Sequence, residues 1–292
     1  MSWRVVVVSK RAKLEYKMNY LVVRDTEILR IHLSEIHTLL IESTAVSLTA
    51  MLVAQLQERR INIIFCDNHR NPLSNVLPFY GCHNSTERVR TQIVWEKETK
   101  DLIWARLVYE KIMNQARVLQ KIDQDAAVKI EQYAEQVLPG DRTNREAHAA
   151  KVYFNALFGH DFSRHKESRI NIALNYGYTI LLSAINREIT VNGYLTQLGI
   201  FHNNVYNHFN LSSDLIEPLR SLVDAEVHSW TTYEEFTSKH KMSLVDVLNR
   251  KVKMGKKNIQ FVNALETYCR SVLDALSEND PALVQCMEYE QG

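Results

Sequence analysis

The period of the hydrophobic pattern changes once along this chain, and that change limits the fold more than any other feature. Before about residue 75, apolar residues gather in short runs rich in β-branched and aromatic side chains. These predict strands at Trp3 to Ser9, Leu14 to Lys17, Tyr20 to Arg24, Glu27 to His32 and Thr38 to Glu42. Met18-Asn19 and Asp25-Thr26 are turn signals between neighbouring runs, so a meander of hairpins is expected. From Ser47 to Glu58 the spacing becomes helical, with Leu48, Leu52 and Leu56 on one face behind Ser47 as the cap. Ile61 to Cys66 returns to strand. Pro72, Pro78 and Gly81 then interrupt the chain, and the strand pattern is not expected again beyond them.

From Ser85 onward, long segments with few breakers carry apolar residues at helical spacing, such as Ile93, Trp104, Leu107, Val108, Ile112 and Leu119 within Thr86 to Ile122. Pro139-Gly140 separates a helix ending near Val137 from one starting near Thr143. Further helices are predicted at Ser168 to Arg187, Asp214 to Val227, Ser243 to Lys251 and Lys257 to Leu276. The expected fold class is α+β, with a β-rich domain over residues 1–75, a linker over 76–85 and a larger all-α domain over 86–292. The acidic tail after Ser277 is expected to be mobile.

Composition narrows the function classes. The 292 residues, 46% of them hydrophobic, can bury one large core or two of domain size. The longest apolar runs, such as Val5 to Val8, are far shorter than the roughly 18 residues that suggest a membrane span. Met1-Ser2-Trp3-Arg4 runs straight into a strand without secretion-signal features, so a cytoplasmic protein with no membrane partner is expected. Cys66, Cys82, Cys269 and Cys286 form no Cys-x-x-Cys pair and are expected to be reduced. The formal charge is only +1, so the overall balance does not mark a nucleic-acid binder. Locally, Lys239, Lys241, Arg250, Lys251, Lys253, Lys256 and Lys257 face the single acid Asp246; they suit phosphates if they share a face, although a solvated surface is the plainer explanation.

Three segments could carry chemistry. Thr143-Asn144-Arg145-Glu146 opens a helix, and its ordinary explanation is a capping box in which Thr143 caps and Glu146 returns the bond. His202 lies in the polar loop Gly199-Ile200-Phe201-His202-Asn203-Asn204. Asp214 and Glu217 are three residues apart at a helix start, where an acidic first turn with Asp214 as cap is again the plain explanation. Two carboxylates and an imidazole nevertheless suit a hard or borderline divalent ion that polarises a phosphoryl oxygen. Other chemistry finds less support. Cys66 and His69 with Cys82 and His83 offer zinc-type ligands, but two adjacent residues serve one tetrahedral ion poorly. No Walker-type phosphate loop, dinucleotide fingerprint or serine-hydrolase elbow occurs.

His202, followed by Asn207-His208-Phe209-Asn210-Leu211-Ser212-Ser213-Asp214-Leu215-Ile216-Glu217-Pro218-Leu219-Arg220 and Val223-Asp224, resembles the signature of the CRISPR-associated integrase family that inserts new spacers. Glu146, the run Asn171-Ile172-Ala173-Leu174-Asn175-Tyr176-Gly177-Tyr178 and Gly193-Tyr194 to Gly199 fall in the same order. The resemblance spans nearly the whole chain, whose length is similar to members that accompany type II single-effector systems. It implies a DNA integrase with endonuclease activity, in which Glu146, His202 and Glu217 are catalytic and hold Mg2+ or Mn2+ while Asp214 is a supporting acid. His208 competes for the histidine role; His202 is preferred because it stands before the Asn-x-Phe-Asn-Leu run.

Implied partners are double-stranded DNA, as protospacer and as CRISPR repeat, a second copy of the chain joined through the β-rich domain, and a small ferredoxin-like adaptation subunit. The effector nuclease and accessory adaptation proteins extend that set. Given DNA, the candidate phosphate contacts are Arg145, Arg164, Lys166, Arg169, Lys251, Lys253, Lys256 and Lys257. Two other readings compete: a structure-selective nuclease of repair or recombination, using water in place of a 3′-hydroxyl, and a non-catalytic helical scaffold that binds proteins.

Overall fold

The structure is a computed structural model that describes residues 3–79, 82–230 and 235–288. It opens with β1 (Arg4–Val8), β2 (Ala12–Lys17), β3 (Tyr20–Arg24), β4 (Ile28–His32), β5 (Ile36–Ile41) and β6 (Val46–Leu48). Helix α1 (Ala50–Glu58), β7 (Asn62–Cys66) and β8 (Pro72–Val76) follow. The expected meander holds for β2, β3 and β4, which pair antiparallel. The rest differs. β6 adds parallel to β2, while β1, β5 and β7 form a parallel group edged by antiparallel β8. Parallel pairing needs crossovers, and α1 provides the one between β5 and β7. β5 is accordingly buried along its whole length, as a strand covered on both faces must be. Ser47 lies in β6 and is not the cap of α1; Thr49 is, its side chain accepting from Leu52 N at 3.3 Å.

The remainder is mostly helical: α2 (Ser85–Ile93), α3 (Lys97–Leu119), α4 (Gln124–Ala134), α5 (Arg145–Phe158), α6 (Arg169–Val191), α7 (Asn210–Leu215), α8 (Arg220–His228), α9 (Ser238–Asp246) and α10 (Phe261–Glu278). It is not all-helical, because β9 (Lys251–Met254) and β10 (Lys257–Gln260) form a hairpin, β10 taking the place of the expected helix start at Lys257 and β9 lying mostly in the gap before it. Gly255 turns it with φ +58°, a left-handed conformation that glycine adopts freely. The predicted helix from Asp214 to Val227 is likewise broken into α7, a 3-10 turn over Glu217–Leu219 and α8, with Pro218 inside the break.

Gly81, inside the expected linker, lies outside the described residues, as does the end of the acidic tail. The described part of that tail is not loose. Met287 is buried and Glu288 pairs its backbone with Lys253, at 2.8 Å in both directions.

Two cores share one wall. Leu39 and Ile63 point into the core between the two β layers, whereas Leu40 and Ile64 point into the helical core around α3, α6 and α10. This is the alternation of strand side chains put to use on both faces. Asn62 donates to Ser183 Oγ at 3.0 Å and ties β7 to α6 across that wall. α3 and α6, 23 residues each, run through the helical core and position the candidate site.

Candidate active site

Helix α3 supplies the floor. Trp104, Leu107, Val108 and Ile112 form its buried stripe, and Lys111 lies on that stripe with them. The Lys111 ammonium stands 2.5 Å from Glu146 Oε1 and 2.5 Å from Glu217 Oε2, so two acids 71 positions apart in sequence meet on one cation. Burial works against the lysine charge, but Glu217 and Glu146 outweigh it and raise its pKa.

Glu146 reaches Lys111 because another residue caps its helix. Asp141 accepts from Arg145 N at 2.8 Å and from Glu146 N at 3.0 Å. The capping box expected at Thr143 and Glu146 is absent, and Asn144, at φ 53°, stands at the N-cap without a side-chain bond. Glu146 is left in the first turn of α5, where the helix dipole favours a negative charge.

Glu217 is almost fully buried. Its Oε1 accepts from Arg220 Nε at 2.9 Å while Oε2 takes Lys111. Burial opposes its ionisation, yet the Arg220 and Lys111 charges hold its carboxyl down at about 2. The Arg220 guanidinium lies 4.6 Å from the Tyr178 ring centre, and Arg164 covers the same ring at 5.3 Å. Tyr178 donates to buried Asp224, whose carboxyl is pushed up to about 6 by burial. Close packing allows this layer: a Cβ on Gly177 would meet Val223 Cγ1 at 2.5 Å, so only glycine lets α6 approach α8 here.

His202 comes from the loop between α6 and α7. Asp214, with no exposed surface, accepts from Ile200 N at 2.6 Å, Phe201 N at 3.2 Å, His202 N at 3.0 Å and His202 Nδ1 at 2.6 Å. Asp214 is therefore not the cap of a helix; it anchors the histidine loop. Its hydrogen bond raises the His202 pKa against the effect of burial, helped by the charges of Asp214, Glu217 and Glu146. Asn210 ties down the same loop through Gln197 O and Asn204 O, both at 3.0 Å. The Trp104 ring stacks on Phe201 at 4.5 Å and meets the His202 ring edge-on at 5.7 Å. Trp104 and Lys111 are about 10 Å apart along one helix face, so the imidazole and the two acids share one side of α3. His208 is exposed, 6.5 Å from Phe209 and away from this cluster.

The expected basic contacts divide. Arg164 is fixed by Asn171 and by Asn175 Oδ1 at 2.7 Å, beside Arg220. Arg145 lies 5.8 Å from the Tyr133 ring centre, and Lys166 donates to Asp161 O at 3.2 Å, with Arg169 exposed nearby. Lys251, Lys253, Lys256 and Lys257 are all exposed on the β9–β10 hairpin. Lys241 of the same basic run is buried, donating to His69 O at 2.8 Å and Arg70 O at 3.0 Å, and Arg250 is paired with Glu226. Sequence reasoning missed Lys111 and Asp141. Lys111 had a signal, since a lysine on an apolar stripe is costly unless paired.

Among the described residues, no three His, Cys, Asp or Glu side chains form a group able to hold a metal ion as placed, and the Lys111 ammonium stands between Glu146 and Glu217. The donor chemistry still fits a divalent cation. Two carboxylates already converge on a positive charge, and His202 bonds Asp214 through Nδ1, leaving Nε2 as a donor.

A strand-rich part followed by a mostly helical part is a fold shared with several solved structures. A casposase bound to integration product superimposes with a TM-score of 0.74 at 18% identity, over 96% of this chain and 91% of that one. A Cas6-RT-Cas1–Cas2 complex contains a longer chain that matches with a TM-score of 0.75 at 18% identity over 99% of this chain, which spans only 36% of that one. The sequence takes the assignment further. A family model described as CRISPR associated protein Cas1 matches residues 5–252, and the CRISPR-associated endonuclease Cas1 of Neisseria meningitidis serogroup C (strain 8013) is 30% identical over 302 residues, 99% of both chains. The chain belongs to the Cas1 family.

Proposed function

We propose that this protein is the integrase of CRISPR spacer acquisition, joining the 3′-hydroxyl ends of a protospacer to a repeat by attack on a phosphodiester. The carrying observation is the convergence of Glu146 and Glu217 on one cation, beside a histidine held by a fully buried aspartate. Family membership and the structural likeness to a casposase bound to integration product support the same reading. Strand transfer exchanges one phosphodiester for another, so the bond energy is conserved and no triphosphate site is needed.

Glu146, Glu217 and the Nε2 atom of His202 would hold Mg2+ or Mn2+. When bound, such an ion supplies charge stabilisation at the phosphoryl oxygens and at the attacking and leaving oxygens. Asp214 fixes the ring and tautomer of His202, so that the free nitrogen faces away from the buried acid. Arg220 and Arg164 bring positive charge to the flank of Glu217, where a phosphate backbone can be steered.

A duplex spacer has two ends to join to two repeat strands, so two copies of the site are needed at fixed separation. This supports a homodimer working with a small ferredoxin-like subunit, in line with the Cas1–Cas2 assembly named for the structural neighbour. The test is strand transfer of a protospacer-like duplex into a supercoiled repeat plasmid, with the small subunit present. A branched substrate that is cut while no joined product forms would favour the nuclease reading.

A further inference from the structure

Lys111 is a charged residue set into an apolar stripe, only 8% exposed. Its ammonium meets two carboxylate oxygens, Glu146 Oε1 and Glu217 Oε2, each at 2.5 Å. The other oxygen of Glu217 accepts from Arg220 at 2.9 Å, so both oxygens of that carboxylate are engaged. Glu146 and Glu217 balance Lys111 and Arg220 in formal charge. A divalent ion entering between the acids would add two uncompensated positive charges to a buried place, which is costly. One resident cation has to yield. Arg220 is pinned by its stacking on Tyr178, 4.6 Å from the ring centre, whereas a lysine ammonium rides on a flexible four-carbon stem.

We propose that Lys111 is the built-in occupant of the metal position: in the metal-free protein its ammonium holds Glu146 and Glu217 together, and a divalent cation enters by displacing it. The proposal rests on the assignment of those carboxylates as metal ligands. Without the lysine, two acids facing one gap would repel each other, so Lys111 keeps the site assembled before the ion arrives. The same pairing makes each ion compete with two charged hydrogen bonds. Lys111 therefore weakens metal binding while preserving the geometry that the metal uses.

The test is Mn2+ binding to the full chain without DNA, followed by the electron paramagnetic resonance signal of free Mn2+. Wild type is compared with Lys111→Met, Lys111→Arg and Glu146→Gln. Lys111→Met is expected to bind Mn2+ at least about tenfold more tightly, the scale of a lost charged hydrogen bond. It should also melt below wild type without metal, with Mn2+ closing the gap, while Lys111→Arg keeps an affinity near wild type. Equal or weaker binding by Lys111→Met, with Glu146→Gln still losing the ion, overturns the proposal alone. Mn2+ binding by Glu146→Gln at wild-type strength overturns the ligand assignment beneath it. Should Lys111→Met not fold, acetylation of Lys111 in wild type, read by mass spectrometry, decides the matter: Mn2+ is expected to speed it several-fold, and an unchanged rate overturns the proposal.

Discussion

The Asp214 carboxylate accepts twice from the same residue, His202, at 3.0 Å from its backbone nitrogen and at 2.6 Å from Nδ1. A single buried acid thus sets both the path of the loop and the direction of the ring. Asp214→Ala should cost about 2 to 4 kcal/mol, because several buried donors lose their acceptor at once. Asp214→Asn should fold better yet join DNA poorly, since an amide cannot accept from all these donors. Urea denaturation alongside strand transfer checks this, and an Asp214→Asn protein with wild-type activity would contradict it.

Gly199 is required by the same loop. A Cβ there would lie 2.3 Å from His202 O and 2.7 Å from Asp214 Oδ2, contacts that backbone cannot relieve cheaply. Gly199→Ala should displace His202 and lower activity sharply, while the exposed Gly255, at φ +58° with nothing near its Cβ position, should tolerate Asn, which adopts the left-handed conformation readily. Comparable activity in both variants would contradict the packing argument.

Two buried carboxylates should give metal-free stability opposite pH slopes. Burial lifts Asp224 to about 6, so the folded protein binds the extra proton and stability falls as pH rises from about 4 through 6. Glu217 is held at about 2, against burial, by Arg220 and Lys111. Its contribution is present above about 4.5 and is lost as pH falls toward 2. At about 1.4 kcal/mol per unit, each slope is worth about 3 kcal/mol. Denaturation across pH 2 to 7 is the measurement. Asp224→Asn should flatten the upper slope and Glu217→Gln the lower; slopes unchanged by either substitution would contradict the assignments.

The exposed lysines of the β9–β10 hairpin offer a test on DNA. Replacing Lys251, Lys253, Lys256 and Lys257 together by Gln should reduce the salt slope of DNA binding by up to about 3 to 4 units if all four neutralise phosphates. Fluorescence anisotropy over a salt series measures this, and an unchanged slope returns the hairpin to solvated surface.

How much of this was legible follows from which forces are local. The change from strand to helix spacing shows in the sequence because backbone periodicity is local. β6 stayed hidden because it is three residues long and runs into a helix signal, and β8 because it starts on a proline in a stretch of breakers. The β9–β10 hairpin was hidden by its lysines, which favour helices as readily as exposed strands. At the site, Glu146, His202 and Glu217 were readable as a resemblance in motif order. Asp141 was not, since its capping role depends on the left-handed turn at Asp141 and Asn144. The meeting of Lys111 with two distant acids is tertiary, and no spacing rule reaches it.

The central claim is that Glu146, His202 and Glu217 form one metal-dependent joining centre. The most direct measurement is strand transfer of a protospacer duplex into a repeat plasmid, with the small subunit and Mg2+ or Mn2+, for wild type, Glu146→Gln, His202→Ala and Glu217→Gln. The account predicts joined product in wild type that disappears with chelator, and folded variants that each lose about a hundredfold or more of the rate. Joining at the wild-type rate in chelator, or in any one of the three variants, would contradict it.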